Sequence, residues 1–333
     1  MGMPQLDRWL AERLVCPRDL KPVQVRGDRL VCLNRHEYPY VDGIPVMLLD
    51  EAIPAQREAQ VTLEQVAHRP PSVAEEPLLC TGAIDQFVQQ AIAATSGNLF
   101  RSSVNKLHRY PIPNIPLPPA PGKSFLDLGC NWGRWCLAAA QNGYRPVGID
   151  HNLDAIRAAR RVARQLGVTS HYLVADARHL PFLSGCFDAV FSYSVFQHLD
   201  KDDAKQSFRE AGRILAPSGT CLIQMPNKFG FRNMGVQLMR GFRPGTGFEV
   251  RYWSPKELKE TFHQLVGPTT LRVDGFFSLN PDARNAELLP PGGRMLVSCS
   301  ESLRRLSQRF LWMIGVADSL FVESRVGGRD QTL

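Results

Sequence analysis

The chain has 333 residues, 44% of them hydrophobic, and a formal net charge of +7. That length exceeds one typical domain and that apolar share can fill a sizeable core, which excludes a disordered or fibrous chain. No apolar run approaches the ~18 residues of a membrane-spanning helix, and the first residues carry acids where a secretory leader would be apolar, so a soluble, cytoplasmic protein without stable membrane insertion is expected.

Residues 1–50 read as a self-contained module: a short helical start over 6–14, strand-like pieces at 22–25 and 29–33, then YPYVDGIPVMLLDE. Cys16, Asp19, Cys32 and His36 reproduce the spacing of a small zinc ribbon, with Asp19 where a second Cys would normally stand. Zinc accepts carboxylate oxygen, so these four can form a metal site. The other reading is a ribbon without metal, held by Val23, Val25, Leu30 and Val31. The chain's eight cysteines are otherwise scattered, which favours reduced thiols over a disulfide framework.

Residues 51–120 read as a helical and proline-rich linker or cap. Amphipathic patches at 53–67 and 84–94 are broken by HRPPSVAEEP and PIPNIPLPPAPGK, where repeated proline removes donors and favours extended chain. From 121 to 333 strands and helices alternate, which implies a mostly parallel sheet covered on both faces. Strands are expected at 125–128, 146–150, 171–176, 188–194 and 220–226, with helices at 134–142, 153–166 and 202–215. A further helix opens on Ser254-Pro255-Lys256-Glu257, a capping sequence with proline at the first helical position. Two more strands, at 270–277 and 319–326, bracket an insertion with an expected helix at 301–314. Arg157, Arg160, Arg161 and Arg164 share a helix face and are most simply solvated.

The stretch FLDLGCNWGRW (125–135) runs from an apolar strand through a glycine-punctuated turn into a helix. A nicotinamide fingerprint would need glycine at 131 and 134, where the chain has Asn131 and Arg134, so a dinucleotide site is weakened. Asn tolerates positive φ well, and the turn D-x-G-x-N-x-G still lets a ligand approach the backbone. The second strand ends in Asp150, a carboxylate able to accept from both hydroxyls of a ribose. The third ends in Asp176, where a carboxylate or a neighbouring amide can read an adenine edge. All three features sit at the carboxyl ends of adjacent strands, where open α/β sheets bind ligands.

With these segments, and with VGIDHN, VADARHLPF, FDAVFSYSVFQHL, ILAPSGTCLIQMP and YWSPKEL, the chain resembles the class I S-adenosylmethionine-dependent methyltransferases. The resemblance implies an α/β fold with a seven-stranded, mostly parallel, doubly wound sheet whose last strand, SLFVESRV, runs antiparallel. It implies S-adenosylmethionine as cofactor, with Asp127, Gly129, Asn131 and Gly133 around its methionine part. Asp150 would hold the ribose, His151 the adenine face, and Asp176 with Ala177 the adenine edge; Ser192 would line the floor. His198, just past the fourth strand, is the candidate general base, with a packing histidine as the plainer reading.

Acceptor selection is expected in the variable pieces, of which 228–252 holds Lys228, Arg232, Arg240, Arg243 and Arg251 against the single acid Glu249. FLWMI (310–314) beside Arg304, Arg305 and Arg309 suits a lipid surface or, more simply, the core. The N-terminal stretch resembles the small zinc-ribbon-like family that activates or accompanies methyltransferases. Its ligand spacing also resembles the ribbon of large-subunit rRNA guanine-N1 methyltransferases. The expected function is methyl transfer to a small-molecule acceptor such as a sugar, lipid precursor or other metabolite. The alternatives are methylation of an RNA base guided by the ribbon, and a cofactor-binding adapter without turnover.

Overall fold

The computed structural model describes residues 6–49, 57–67, 84–95, 107–277 and 283–326. HRPPSVAEEP and Cys80 lie outside the described residues. The other seven cysteines are free. The central strands are β5 (Ser124–Leu128), β6 (Arg145–Asp150), β7 (His171–Ala175), β8 (Phe187–Ser192), β9 (Leu215–Pro226), β10 (Thr269–Gly275) and β11 (Ser319–Arg325). They lie in the order β7-β6-β5-β8-β9-β11-β10, and β11 is antiparallel to both neighbours. β5 is buried at every position, as a strand covered on both faces must be.

Four further strands carry this sheet past β7, giving eleven in all: β1 (Val23–Arg26), β2 (Arg29–Cys32), β3 (Glu37–Val41) and β4 (Ile44–Met47). The expectation of a seven-stranded sheet with a separate small β module is corrected here. β3 and β4 form a hairpin through Asp42 and Gly43, both at positive φ, the conformation an Asp-Gly turn favours. β4 then pairs in parallel with β7, Val46 opposite Val174 and Met47 opposite Ala175. The physical reason is an open edge: β7 would otherwise present unpaired backbone groups, and IPVM is apolar enough to be buried throughout while pairing with them. Leu10, Leu14, Leu30, Tyr38 and Met47 join the same core as Leu126, Ile149 and Phe187.

Helices α4 (Arg134–Gln141), α5 (Leu153–Gln165), α6 (Lys201–Ile214) and α8 (Pro255–Leu265) lie within a residue or two of their expected positions. Their caps explain why. Asn152 accepts from the amides of Asp154 and Ala155, Asp200 from those of Asp202 and Asp203, and Ser254 with Glu257 closes a capping box. The short α1 (Arg8–Ala11) precedes β1, while α2 (Arg57–Ala67) and α3 (Gln86–Thr95) pack on the sheet domain. Thr62 of α2 donates to the His151 carbonyl at 2.9 Å and accepts from the Leu153 amide at 3.1 Å.

Three expectations change. Three of the four α5 arginines are engaged and only Arg164 is exposed: Arg161 grips the fully buried Asp85 at 2.7 and 2.8 Å, Arg157 reaches Asp42 and Asp154, and Arg160 donates to the Asp42 carbonyl. The helix of the last insertion, α9 (Pro291–Ser307), starts earlier than 301 and ends before a separate 3-10 turn at Leu311–Gly315. The segment after β9 forms a helix, α7 (Phe231–Met239), which the glycine-rich sequence did not signal. Among the described residues, no helix is long and apolar enough to cross a membrane.

Candidate functional site

The turn from β5 into α4 is left-handed at three points: Gly129 at φ +74°, Asn131 at +47° and Gly133 at +81°. Asn131 thus occupies the conformation its side chain tolerates, and its Oδ1 accepts from the Trp132 amide at 2.8 Å. The two glycines answer to close packing as well. A Cβ on Gly129 would stand 2.4 Å from the Val195 side chain, and one on Gly133 2.7 Å from the Tyr172 hydroxyl. The amides of Gly129 and Cys130 both donate to the Ile149 carbonyl, tying the turn to β6.

Asp127 lies beneath this turn, fully buried. Its Oδ2 meets the Cys136 thiol at 3.6 Å, and its Oδ1 has no partner. Burial pushes its carboxyl up to about 7, with lesser pulls downward from the Cys136 thiol and Arg134. A buried carboxylate oxygen without a donor suits a cationic ligand group, such as the ammonium of a methionine moiety. Asp150, ending β6, accepts from the amides of Asn131 and Asn152 at 3.0 Å each. Since a carboxylate oxygen has two lone pairs, both oxygens keep one for a further donor.

Asp176 follows β7 and is clamped by Arg178, whose guanidinium reaches both carboxylate oxygens and then extends to Asp203. Burial would raise the Asp176 carboxyl, but the Arg178 contacts hold it below its usual range. Gly129, Asp150, His151, Asp176 and Ala177 line one cavity, together with Ala59 of α2 and Val195. The cavity measures about 50 Å³.

Two candidate residues stand apart from this cavity. Ser192 is fully buried and donates to the Leu128 carbonyl at 2.8 Å, so it supports the strand under the turn. His198 stacks on the Phe248 ring at 3.8 Å. Its Nδ1 lies 2.8 Å from the Phe248 carbonyl, which fixes the proton there and leaves Nε2 to accept from Gln197 at 3.1 Å. Burial holds this imidazole below its ordinary range. Both nitrogens are engaged, and the ring anchors the segment before Arg251, whose guanidinium bonds the His198 carbonyl.

A larger cavity, about 410 Å³, opens where β8 and β10 end, against the start of α4. Tyr193, Trp135, Asp274, Ser300 and Arg304 line it. Asp274 is partly buried, and desolvation raises its carboxyl; it accepts from the Tyr193 hydroxyl at 2.8 Å and from Ser319 at 2.6 Å. The Trp135 indole N–H is buried without a partner. Sequence reasoning passed over Asp274; the signal was an acid at the end of a strand, in RVDGFF.

The ribbon residues do converge. The ligand atoms of Cys16, Asp19, Cys32 and His36 all lie within 4.8 Å of one another. His36 Nδ1 is 3.4 Å from Cys16 Sγ, 3.5 Å from Cys32 Sγ and 3.3 Å from Asp19 Oδ2, and Cys32 Sγ is 3.8 Å from Asp19 Oδ2. Bonds of about 2.0–2.3 Å to a tetrahedral zinc put ligand atoms roughly 3.3–3.8 Å apart, the range of these four separations, and the donor types are those zinc takes.

Residues 125–219 match a family described as a methyltransferase domain. Over 145 residues the chain is 30% identical to the ubiquinone biosynthesis O-methyltransferase of Methylocella silvestris, covering 42% of this chain and 56% of that one. Over 109 residues it is 30% identical to the norajmaline N-methyltransferase of Rauvolfia serpentina, covering 32% and 37%. The chain therefore spans less than two thirds of these relatives. Among solved structures it is similar to a methyltransferase of Methanosarcina mazei, with a TM-score of 0.45, 18% identity and coverage of 62% and 94%. A complex of the Haloferax volcanii Trm112 methyltransferase activator with a methyltransferase gives a TM-score of 0.44, 17% identity and coverage of 72% and 93%. The match and these relatives identify residues 125–219 as an S-adenosylmethionine-dependent methyltransferase domain.

Proposed function

We propose that the whole chain transfers a methyl group from S-adenosylmethionine to a small-molecule acceptor. The observation that carries this reading is the buried, unpartnered Asp127 oxygen under a left-handed turn, in the stretch that matches the methyltransferase family. When bound, the cofactor supplies an activated methyl on a sulfonium. Asp127 receives its ammonium, and Asp150 accepts from the two ribose hydroxyls. Arg178 already holds both oxygens of Asp176, so the backbone amide of Ala177 is left to read the adenine edge. Displacement at a sulfonium needs alignment and exclusion of water above all.

The acceptor occupies the cavity beside Tyr193 and Asp274, where the Trp135 indole N–H offers it a hydrogen bond. A hydroxyl acceptor would pass its proton to the Tyr193–Asp274 pair, whose raised carboxyl suits that step. The relatives named for methyl transfer to oxygen and to nitrogen support a small-molecule acceptor. We further propose that Cys16, Asp19, Cys32 and His36 hold a structural zinc. The ribbon shares the core of the sheet, which favours a role in shaping the enzyme over gripping RNA.

The test is incubation of the full chain with radiolabelled methyl donor and a cell extract separated into RNA, lipid and small-molecule fractions. Label in the lipid or small-molecule fraction is expected. Label in RNA, lost on nuclease treatment, would replace this reading with methylation of an RNA base. Tight binding of S-adenosylhomocysteine with no label in any fraction would leave an adapter.

A further inference from the structure

Helix α7 is built inside out. A helix on a water-soluble protein normally turns its apolar stripe to the core. Here the residues facing the protein are Asn233 and Gln237, 4% and 8% exposed and one helical turn apart. The Asn233 amide donates to the carbonyls of Asn227 at 2.9 Å and Asp318 at 2.7 Å, and that of Gln237 donates to Lys228 at 2.6 Å. These bonds fix which way the helix faces. Turned outward are Phe231 at 79% exposure, Leu238, and Met239 at 82%.

The apolar surface continues at both ends. Past the C-terminus, Phe242 and Phe248 are exposed. At the N-terminus the Phe231 amide bonds the Val316 carbonyl at 3.1 Å, which brings in the turn carrying exposed Leu311 and Trp312. Cations are interleaved with these side chains. Residues 228–251 hold five basic groups and one acid, Glu249, which Arg243 already clamps at 2.6 and 2.9 Å; Arg309 precedes the turn, as does Arg305, which pairs with Glu301 at 3.1 Å.

We propose that α7, the loop to Arg251 and the Leu311–Trp312 turn seat this protein on an anionic lipid bilayer. Side chains that protrude singly match a fluid acyl layer, which needs no complementary pocket, and the interleaved arginines match anionic headgroups. A second copy is a poor occupant, since over residues 228–251 basic groups outnumber acids five to one, and two such faces would bring that excess together. α7 follows β9 at the carboxyl edge of the sheet, the edge on which the cofactor cavity and the acceptor cavity also open. The surface therefore goes beyond the methyl-transfer reading and points to an acceptor drawn from the membrane.

The test is flotation of the full chain with vesicles of phosphatidylcholine alone, or of equal parts phosphatidylcholine and phosphatidylglycerol. No methyl donor is present, so the result stands apart from the enzyme's activity. Binding to the anionic vesicles is expected, weaker by about tenfold or more on phosphatidylcholine or in high salt. The triple variant Phe231→Ser, Leu238→Ser, Met239→Ser alters only exposed side chains and should melt as the parent does while losing about tenfold or more in binding. Brominated acyl chains should quench Trp312, and the added quenching should vanish in Trp312→Phe. No flotation with either vesicle, or equal flotation of parent and triple variant, would overturn the proposal. So would a dimer that never floats and that the triple variant dissolves, which would assign the surface to a second copy.

Discussion

Asp150→Ala tests the cofactor placement at a single carboxylate. Each Asp150 oxygen already accepts one backbone amide at 3.0 Å and keeps one lone pair for a ribose hydroxyl. Hydrogen bonds to a charged group contribute about 1.5–3 kcal/mol each, and water recovers part of that once the carboxylate is gone. A net loss of about 3 kcal/mol is expected, roughly a hundredfold in the dissociation constant of S-adenosylhomocysteine. The substitution also deprives the Asn131 and Asn152 amides of their acceptor, which should lower folding stability by about 1–3 kcal/mol. Calorimetric titration measures the first effect and urea unfolding the second. A folded variant that binds S-adenosylhomocysteine as tightly as the parent would show that the ribose does not rest on Asp150, and the placement would fail.

The Asp127 carboxyl, raised to about 7, gives a pH signature. The folded chain keeps a proton that the unfolded chain releases near its ordinary value of 3.8, so this group's contribution to stability declines as pH rises from there to about 7 and then levels off. A cationic ligand group needs the ionised form, so affinity for S-adenosylhomocysteine should fall about tenfold from pH 8 to pH 6, with proton release on binding. An affinity flat across that range would remove Asp127 from the ammonium site. Arg161→Met would leave the fully buried Asp85 without its cation and should cost about 3–5 kcal/mol in urea unfolding; less than about 1 kcal/mol would mean the pair is not desolvated. Purified protein should carry about one equivalent of zinc, and its removal should lower the melting temperature. Less than about a tenth of an equivalent in fresh protein would exclude the metal.

The strands around the cofactor cavity were legible because their signals are local. Short apolar runs ending in Asp150 and Asp176 announce both the strand and its functional end, and Asn152 and Ser254 mark helix starts by side chains that cap them. What stayed hidden depends on partners distant in sequence. IPVM is an apolar run, but nothing in those residues states that it will form a strand whose neighbour is Val174. Arg161 reads as one of four solvated arginines until Asp85 is folded against it. α7 escaped notice because its periodicity is reversed: a search for an inward apolar stripe finds Asn233 and Gln237 on the inward face.

The parallel pairing of β4 with β7 has a consequence for synthesis of the chain. Val46 and Val174 are 128 residues apart (174 minus 46). At ribosomal rates of about 5–20 residues per second, β4 emerges roughly 6–25 s before its partner exists. During that interval the nascent chain holds an apolar strand edge with nothing to pair against. The Asp42–Gly43 hairpin offers β3 as an early neighbour on one side, leaving the other side as the place where a chaperone would be needed first.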